Sequence, residues 1–390
     1  MKTILTARRL ITHYAVLDHP RIAIDSNGII AAIDSAATSE QATEDVTITP
    51  AFFDIHIHGA AGHDVMEGTL SALHRIGAFL ATKGVANYLA TTVTAPIDPT
   101  LRALELLANA IESANGTESV TQAIPIGIHL EGPFISHAKR GVHPPADIQP
   151  PSIPLFEKFQ QAARGHIRLI TIAPEVPGAI DLIKYATKSG TKVSLGHSDA
   201  TAAATRAAIA AGANSATHTF NAMHRLDHRE PGIAGVVLDD TNLYAELICD
   251  GIHVAPEFVR LWLRAKSESH AILVTDAISA TGMPDGTYTL GNLEVSVANG
   301  RCLLASDLAA GKETLAGSVL TMDRAVANLQ RLTGAPLATA VRLASRNPAA
   351  MLGLPHLTDI APGRPANFNL YSPTGELRQT ILHGRVTTVS

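Results

Sequence analysis

The sequence predicts a (β/α)8 barrel joined to a small β domain, a sandwich built from both chain ends. Three observations predict it. Apolar, β-branched runs alternate with Ala- and Leu-rich stretches through the middle of the chain. Eight such runs fall within about 220 residues, close to the usual barrel size of about 250. Both ends change texture to short strands broken by turn signals. Apolar runs this continuous imply parallel strands covered by helices rather than a half-solvated antiparallel sheet.

In chain order, residues 1–50 are short and strand-like. Within them "RIAIDSNGIIAAID" sets Asn27-Gly28 between two apolar runs, a strong signal for a tight hairpin. The barrel strands are expected at 51–57, 85–93, 124–130, 167–173, 191–195, 213–217, 243–249 and 270–275. Helical stretches separate most of them, at 69–83, 98–114, 178–189, 199–211 and 256–268. The last segment, "ANFNLYSPTGELRQTILHGRVTTV", is again strand-rich, with turns at Pro373-Thr374-Gly375 and His383-Gly384. The expected division is therefore 1–50 with 355–390 as the β domain and 51–354 as the barrel. A doubly wound open sheet is the runner-up, but no G-x-G-x-x-G opens any helix.

Composition narrows the function. Of 390 residues, 46% are hydrophobic and 17% charged, so a large core is expected and global disorder is not. A net charge of −5 without a long basic run argues against nucleic acid as the main partner, yet permits a local anion pocket. Two cysteines, Cys249 and Cys302, exclude a disulfide framework and a thiolate zinc site, and point to a reducing compartment. The N-terminus interrupts its apolar residues with Arg8 and Arg9, unlike a signal peptide. No run of about 20 apolar residues exists to span a membrane. A cytoplasmic protein is expected.

The residues that terminate the apolar runs carry the chemistry. The first run ends in His56 and His58, which project from one strand face because side chains alternate with period two. His129 and Glu131 end the third, His197 the fifth, His218 the sixth, Asp250 and His253 the seventh, Asp276 the eighth. In a barrel these ends share one mouth, where active sites of the fold lie. A single histidine at a strand end is more often structural than a ligand. Recurrence at six of eight ends makes chance a poor explanation. Histidines plus one carboxylate suit zinc or a similar divalent ion with an open position for water. Glu131, His197 and His218 supply three ligands; His56 and His58 complete a second site with Glu131 bridging. A metal lowers the pKa of its water toward about 7. Asp276 is then the natural proton shuttle. Most histidines elsewhere, such as His63, His74, His224 and His383, are expected to be solvated or hydrogen-bonded.

These residues resemble the amidohydrolase superfamily. More narrowly, "HLEGPF", "GHSDA", "THTFNAM", "DGIHV", "VTDAI" and "LAGS" resemble the N-acetylglucosamine-6-phosphate deacetylases, from about residue 50 to 350. The resemblance implies a metal-dependent amidohydrolase barrel with a small flanking β domain. It also implies deacetylation of N-acetyl-D-glucosamine 6-phosphate to D-glucosamine 6-phosphate and acetate. Strand four, "IRLITIAPEV", lacks the lysine that bridges two metals in many relatives; Glu131 takes that place, as in the deacetylase branch. Relatives vary in whether the H-x-H pair is present, so one or two divalent metals are expected, zinc first, with iron, cobalt or manganese as alternatives. His143 in "KRGVHPP" matches the residue that stabilises the oxyanion. Val142, Asn221, Ala222, Asp250, His253 and the segment Leu315, Ala316, Gly317 are the implied substrate contacts. Arg229 is implied to reach the phosphate in the neighbouring chain of a homodimer. The stretch 299–318 is longer than the resemblance leads one to expect, which leaves its shape open. N-acetylgalactosamine 6-phosphate is the first rival substrate, differing only at C4. A non-catalytic scaffold is remote, because it predicts missing ligands and Glu131, His197, His218 and Asp276 are all in place.

Overall fold

The computed structural model describes residues 3–35, 44–116 (backbone only for 114–116) and 121–387. Eight strands form one sheet in strict sequence order: β1 Phe52–Ile57, β2 Val85–Thr92, β3 Ile124–Glu131, β4 Ile167–Ile172, β5 Lys192–Leu195, β6 Ser215–Ala216, β7 Tyr244–Ile248 and β8 Ala271–Val274. Neighbours pair parallel throughout. All eight expected strands are present, and the fold is the (β/α)8 barrel.

Closure between β1 and β8 happens at the mouth. Asp276 N–H donates to the His56 carbonyl (2.9 Å), and His58 N–H donates to the Ala277 carbonyl (2.8 Å). Below them the buried Asp54 carboxyl accepts from the Thr275 hydroxyl (2.6 Å) and backbone N–H (3.4 Å). Burial pushes the Asp54 carboxyl up to about 7 despite these bonds. The barrel seam and the His56, His58 and Asp276 side chains thus share one structural element. Thr275→Val should strip a donor from a buried carboxyl and cost about 1–3 kcal/mol of stability, read as a lower urea midpoint.

The helices follow the apolar spacing. Leu70–Thr82 starts where the Thr69 side chain accepts from Ala72 N–H, and buries Leu73, Ile76 and Leu80 on one face. Between the barrel strands, two helices escape the sequence reading. Ile153–Ala162 is short, with Phe156 and Phe159 as its buried anchors, although Ser152 caps it and Pro154 sits in its first turn. Gly232–Asp239 carries two glycines, which lower intrinsic helix propensity and are overridden here by burial of Ile233, Val236 and Val237.

The segment after β8 is another departure. Gly286–Leu290, Leu293–Ala298 and Arg301–Leu304 form an antiparallel three-stranded sheet, and a short helix comes next at Ala305–Ala309. The stretch 299–318 is therefore a strand, a helix turn and a return to the barrel. Leu290, Val295, Val297 and Cys302 bury against Val93, Val142, Ile278 and Ala316, so this sheet is seated on the barrel mouth.

At the chain ends, Thr47–Pro50 lies between Arg9–Ile11 and Phe368–Tyr371 in a six-stranded sheet. Thr3–Thr6, Pro20–Ile24 and Ile30–Ser35 form a second sheet. The two share a core of Leu10, Ile22, Ile48 and Phe368. The Asn27-Gly28 turn joins Pro20–Ile24 to Ile30–Ser35. A Cβ on Gly28 would lie 1.9 Å from the His383 carbonyl oxygen, and its φ is +77°, so glycine is required on both counts. Residues 1–2, 36–43 and 388–390 of the expected β segments lie outside the described residues.

Candidate active site

One carboxyl group organises the mouth. Glu131, at the end of β3, sets Oε1 3.1 Å from His197 Nε2, 3.1 Å from His218 Nε2 and 3.5 Å from His56 Nε2. Its Oε2 lies 3.2 Å from His58 Nε2 and 3.8 Å from His143 Nε2. Asp276 Oδ1 faces the same H-x-H pair, 3.4 Å from His56 and 3.2 Å from His58. All seven side chains are buried.

The outward ring nitrogens are fixed by other groups. His197 Nδ1 donates to the Lys139 carbonyl (3.0 Å), His58 Nδ1 to the Thr91 carbonyl (3.0 Å) and His56 Nδ1 to Glu246 (3.2 Å). A proton held on Nδ1 turns Nε2 into the site, the usual arrangement of a metal-ligating histidine. His197 Nε2 and His218 Nε2 stand 3.1 Å apart, and His56 Nε2 has no hydrogen-bond partner. His143 is wired the opposite way. Thr94 N–H donates to its Nδ1 (3.3 Å), so the ring proton sits on Nε2 and points into the cavity.

Backbone strain positions several of these groups. His197, His218 and Asp276 adopt φ of 47°, 28° and 52°, a left-handed conformation uncommon for such residues and concentrated at functional sites. Gly132, next to Glu131, has φ +76°; a Cβ there would fall 2.1 Å from Thr94 Oγ1, the hydroxyl that also meets His143 Nδ1 at 2.7 Å. Bulk at that glycine would displace His143.

The electrostatics favour added positive charge. Burial opposes ionisation of Glu131, but the His56 charge and contacts from His197 and His218 outweigh it and hold the carboxyl well below its ordinary range. Asp276 is held low in the same way by His56 and His58 against its burial. Burial works against protonated His58 too, yet Asp276 and Glu131 raise it to about 9. His143 goes the other way: burial first, then the neighbouring His197, push it down to about 3, so its ring is neutral across the working pH range.

A cavity of about 310 Å³ opens above these groups, and Val142, Asn221, Ala222, His253, Leu315 and Gly317 line it. Asp250 does not; it accepts from His253 Nδ1 at 2.6 Å and orients that ring. Ala316 is buried under the three-stranded sheet rather than in the wall. Arg229 is exposed in the loop after β6, outside the walls. His129, expected beside Glu131 at the strand end, lies within the barrel, its Nε2 2.8 Å from the Thr171 hydroxyl. Burial there holds His129 far below its ordinary range. Sequence reasoning missed Val93 and Leu290 in the wall. It also missed Thr94 and Glu246, although a glutamate inside the apolar run "YAELIC" was a visible signal.

A (β/α)8 barrel that gathers histidines and carboxylates from most of its strand ends around one shared glutamate defines a hydrolase of the amidohydrolase type. The chain belongs to the amidohydrolase family, whose profile matches residues 47–387. It is 36% identical over 389 residues to an N-acetylgalactosamine-6-phosphate deacetylase of Escherichia coli O157:H7, covering 100% of both chains. Identity to an N-acetylglucosamine-6-phosphate deacetylase of Bacillus subtilis (strain 168) is 37% over 352 residues, 90% of this chain and 87% of that one. The fold matches a mutant N-acetyl-D-glucosamine-6-phosphate deacetylase from Mycobacterium smegmatis, solved in complex with N-acetyl-D-glucosamine-6-phosphate, with TM-score 0.92, 33% identity and 100% coverage of both chains. Within the amidohydrolases the chain belongs with the N-acetylglucosamine-6-phosphate deacetylases.

Proposed function

We propose that this chain hydrolyses the acetamide of N-acetyl-D-glucosamine 6-phosphate, releasing acetate and D-glucosamine 6-phosphate in amino-sugar catabolism. The observation that carries the reading is the convergence of four histidine Nε2 atoms on Glu131 within 3.5 Å. Such a donor set, with an unpartnered buried Nε2 on His56, fits a divalent cation and suits nothing apolar. Glu131, His197 and His218 would hold a first ion, and His56 and His58 a second with Glu131 shared. Zinc is the metal we favour, with iron, cobalt or manganese as substitutes. When bound, such an ion polarises an amide carbonyl and makes a water acidic.

The chain's own groups supply the rest. Asp276, kept ionised, takes the proton from the attacking water and returns it to the departing amine. His143, neutral and protonated on Nε2, donates to the acetamide oxygen as negative charge develops there. Asn221, Ala222, Val142, Leu315 and Gly317 hold the sugar. His253, oriented by Asp250, faces the phosphate. Arg229 completes that phosphate site from the second subunit of a homodimer. A cytoplasmic setting fits the two buried, unbridged cysteines, Cys249 and Cys302.

Arg229→Ala should raise KM for the phosphorylated sugar by roughly 10–100-fold, as loss of a charge-assisted contact implies. An unphosphorylated analogue should be turned over as before. Mixing Arg229→Ala with His253→Ala chains should restore part of the activity, since a mixed dimer keeps one intact site; confirmed subunit exchange without recovery contradicts the shared site. The full-length similarity to the E. coli N-acetylgalactosamine-6-phosphate deacetylase favours that sugar as the second reading. Acetate release from both phosphorylated amino sugars and both free sugars decides between them. The gluco substrate should give the highest kcat/KM, and a galacto preference would reverse the assignment.

A further inference from the structure

Glu246 sits in the middle of β7, entirely buried, in a run of otherwise apolar residues. No apolar strand gains from a carboxyl group there unless the group is used, because a buried polar group costs free energy until it is paired. One oxygen, Oε2, meets His56 Nδ1 at 3.2 Å and accepts from the backbone N–H of His218 at 3.2 Å. The other oxygen, Oε1, is buried without a partner, as is His218 Nδ1. The glutamate's backbone carbonyl accepts from Thr219 N–H at 2.8 Å. Glu246 therefore braces the left-handed turn that presents His218 and also grips the back of His56.

We infer that Glu246 is a positioning residue that makes the second metal position, the one built on His56 and His58, competent to bind. The groups behind the four histidines differ. His197 is oriented by a backbone carbonyl, and so is His58. His56 alone among the proposed ligands is oriented by a side-chain carboxyl, which fixes the proton on Nδ1 and leaves Nε2 free for a cation. His218, whose Nδ1 has no partner, meets Glu246 through its backbone only, a contact that other turn bonds can replace. Loss of the carboxyl should thus reach the His56 position far more than the His197 and His218 position. Outer groups that orient ligands typically change metal affinity by about 10–100-fold.

The test is equilibrium dialysis of the full chain against buffered free zinc, read by elemental analysis. Wild type should take up two equivalents. In Glu246→Gln one equivalent should weaken roughly 10–100-fold, and the other by less than about threefold. Glu246→Leu, which removes both acceptor oxygens at similar volume, should weaken the same equivalent at least as much. In a His56→Ala background, Glu246→Gln should change zinc affinity by less than about twofold, because its partner is already gone. The inference rests on the metal reading of the site, and the outcomes keep the two apart. A wild-type chain that binds no zinc sinks that reading. Wild-type binding of a single equivalent, equal weakening of both equivalents, or unchanged uptake by Glu246→Gln overturns the role of Glu246.

Discussion

Asp276→Asn should retain its metal and lose about 10²–10⁴-fold in kcat, the usual contribution of a positioned acid–base group. The isosteric amide can still occupy the space at the β1–β8 seam, where the Asp276 backbone N–H donates to the His56 carbonyl, so the fold should be preserved. What it cannot do is accept a proton. The carboxylate it replaces lies 3.2 Å from His58 and 3.4 Å from His56. KM should change little, because the proposed sugar and phosphate contacts come from other residues. A variant with near wild-type kcat would transfer the proton shuttle to a different group.

Glu131→Gln should have an effect at least as large by another route. Its two oxygens are the common partners of four histidine Nε2 atoms. An amide in that place loses the negative charge and turns an N–H₂ group toward nitrogen lone pairs, a donor set that repels a cation. Elemental analysis should find the variant depleted of metal, with activity down to that of chelator-treated wild type. Metal content equal to wild type would show that Glu131 is not a ligand. The two variants separate the roles: one keeps the ion and loses the proton transfer, the other loses the ion.

Much of this site is legible in the sequence because it is built at strand ends, and strand ends are local features. The period-two rule alone puts His56 and His58 on one face, and the barrel topology brings His197, His218 and Asp276 to the same rim. Other parts depend on which residues become neighbours after folding. Thr94 and His143 are 49 residues apart in sequence, and the Thr94 N–H donated to Nδ1 at 3.3 Å separates His143 from the ligand histidines. Leu290 reaches the cavity because a three-stranded sheet folds back over the mouth, and its short amphipathic strands look like ordinary surface strands in the sequence. The left-handed φ at His197, His218 and Asp276 has no sequence signal at all, since none of them is glycine. Helix Gly232–Asp239 was hidden for the converse reason: its propensity is poor and packing alone decides it.

The central claim is that a divalent metal held around Glu131 enables deacetylation of a phosphorylated amino sugar. Its most direct test is proton NMR of acetate released from N-acetyl-D-glucosamine 6-phosphate by zinc-loaded chain, by chelator-stripped chain, and by stripped chain resupplied with zinc. Loaded and resupplied protein should release acetate and stripped protein should not. Equal release by stripped protein, verified metal-free, would contradict the account.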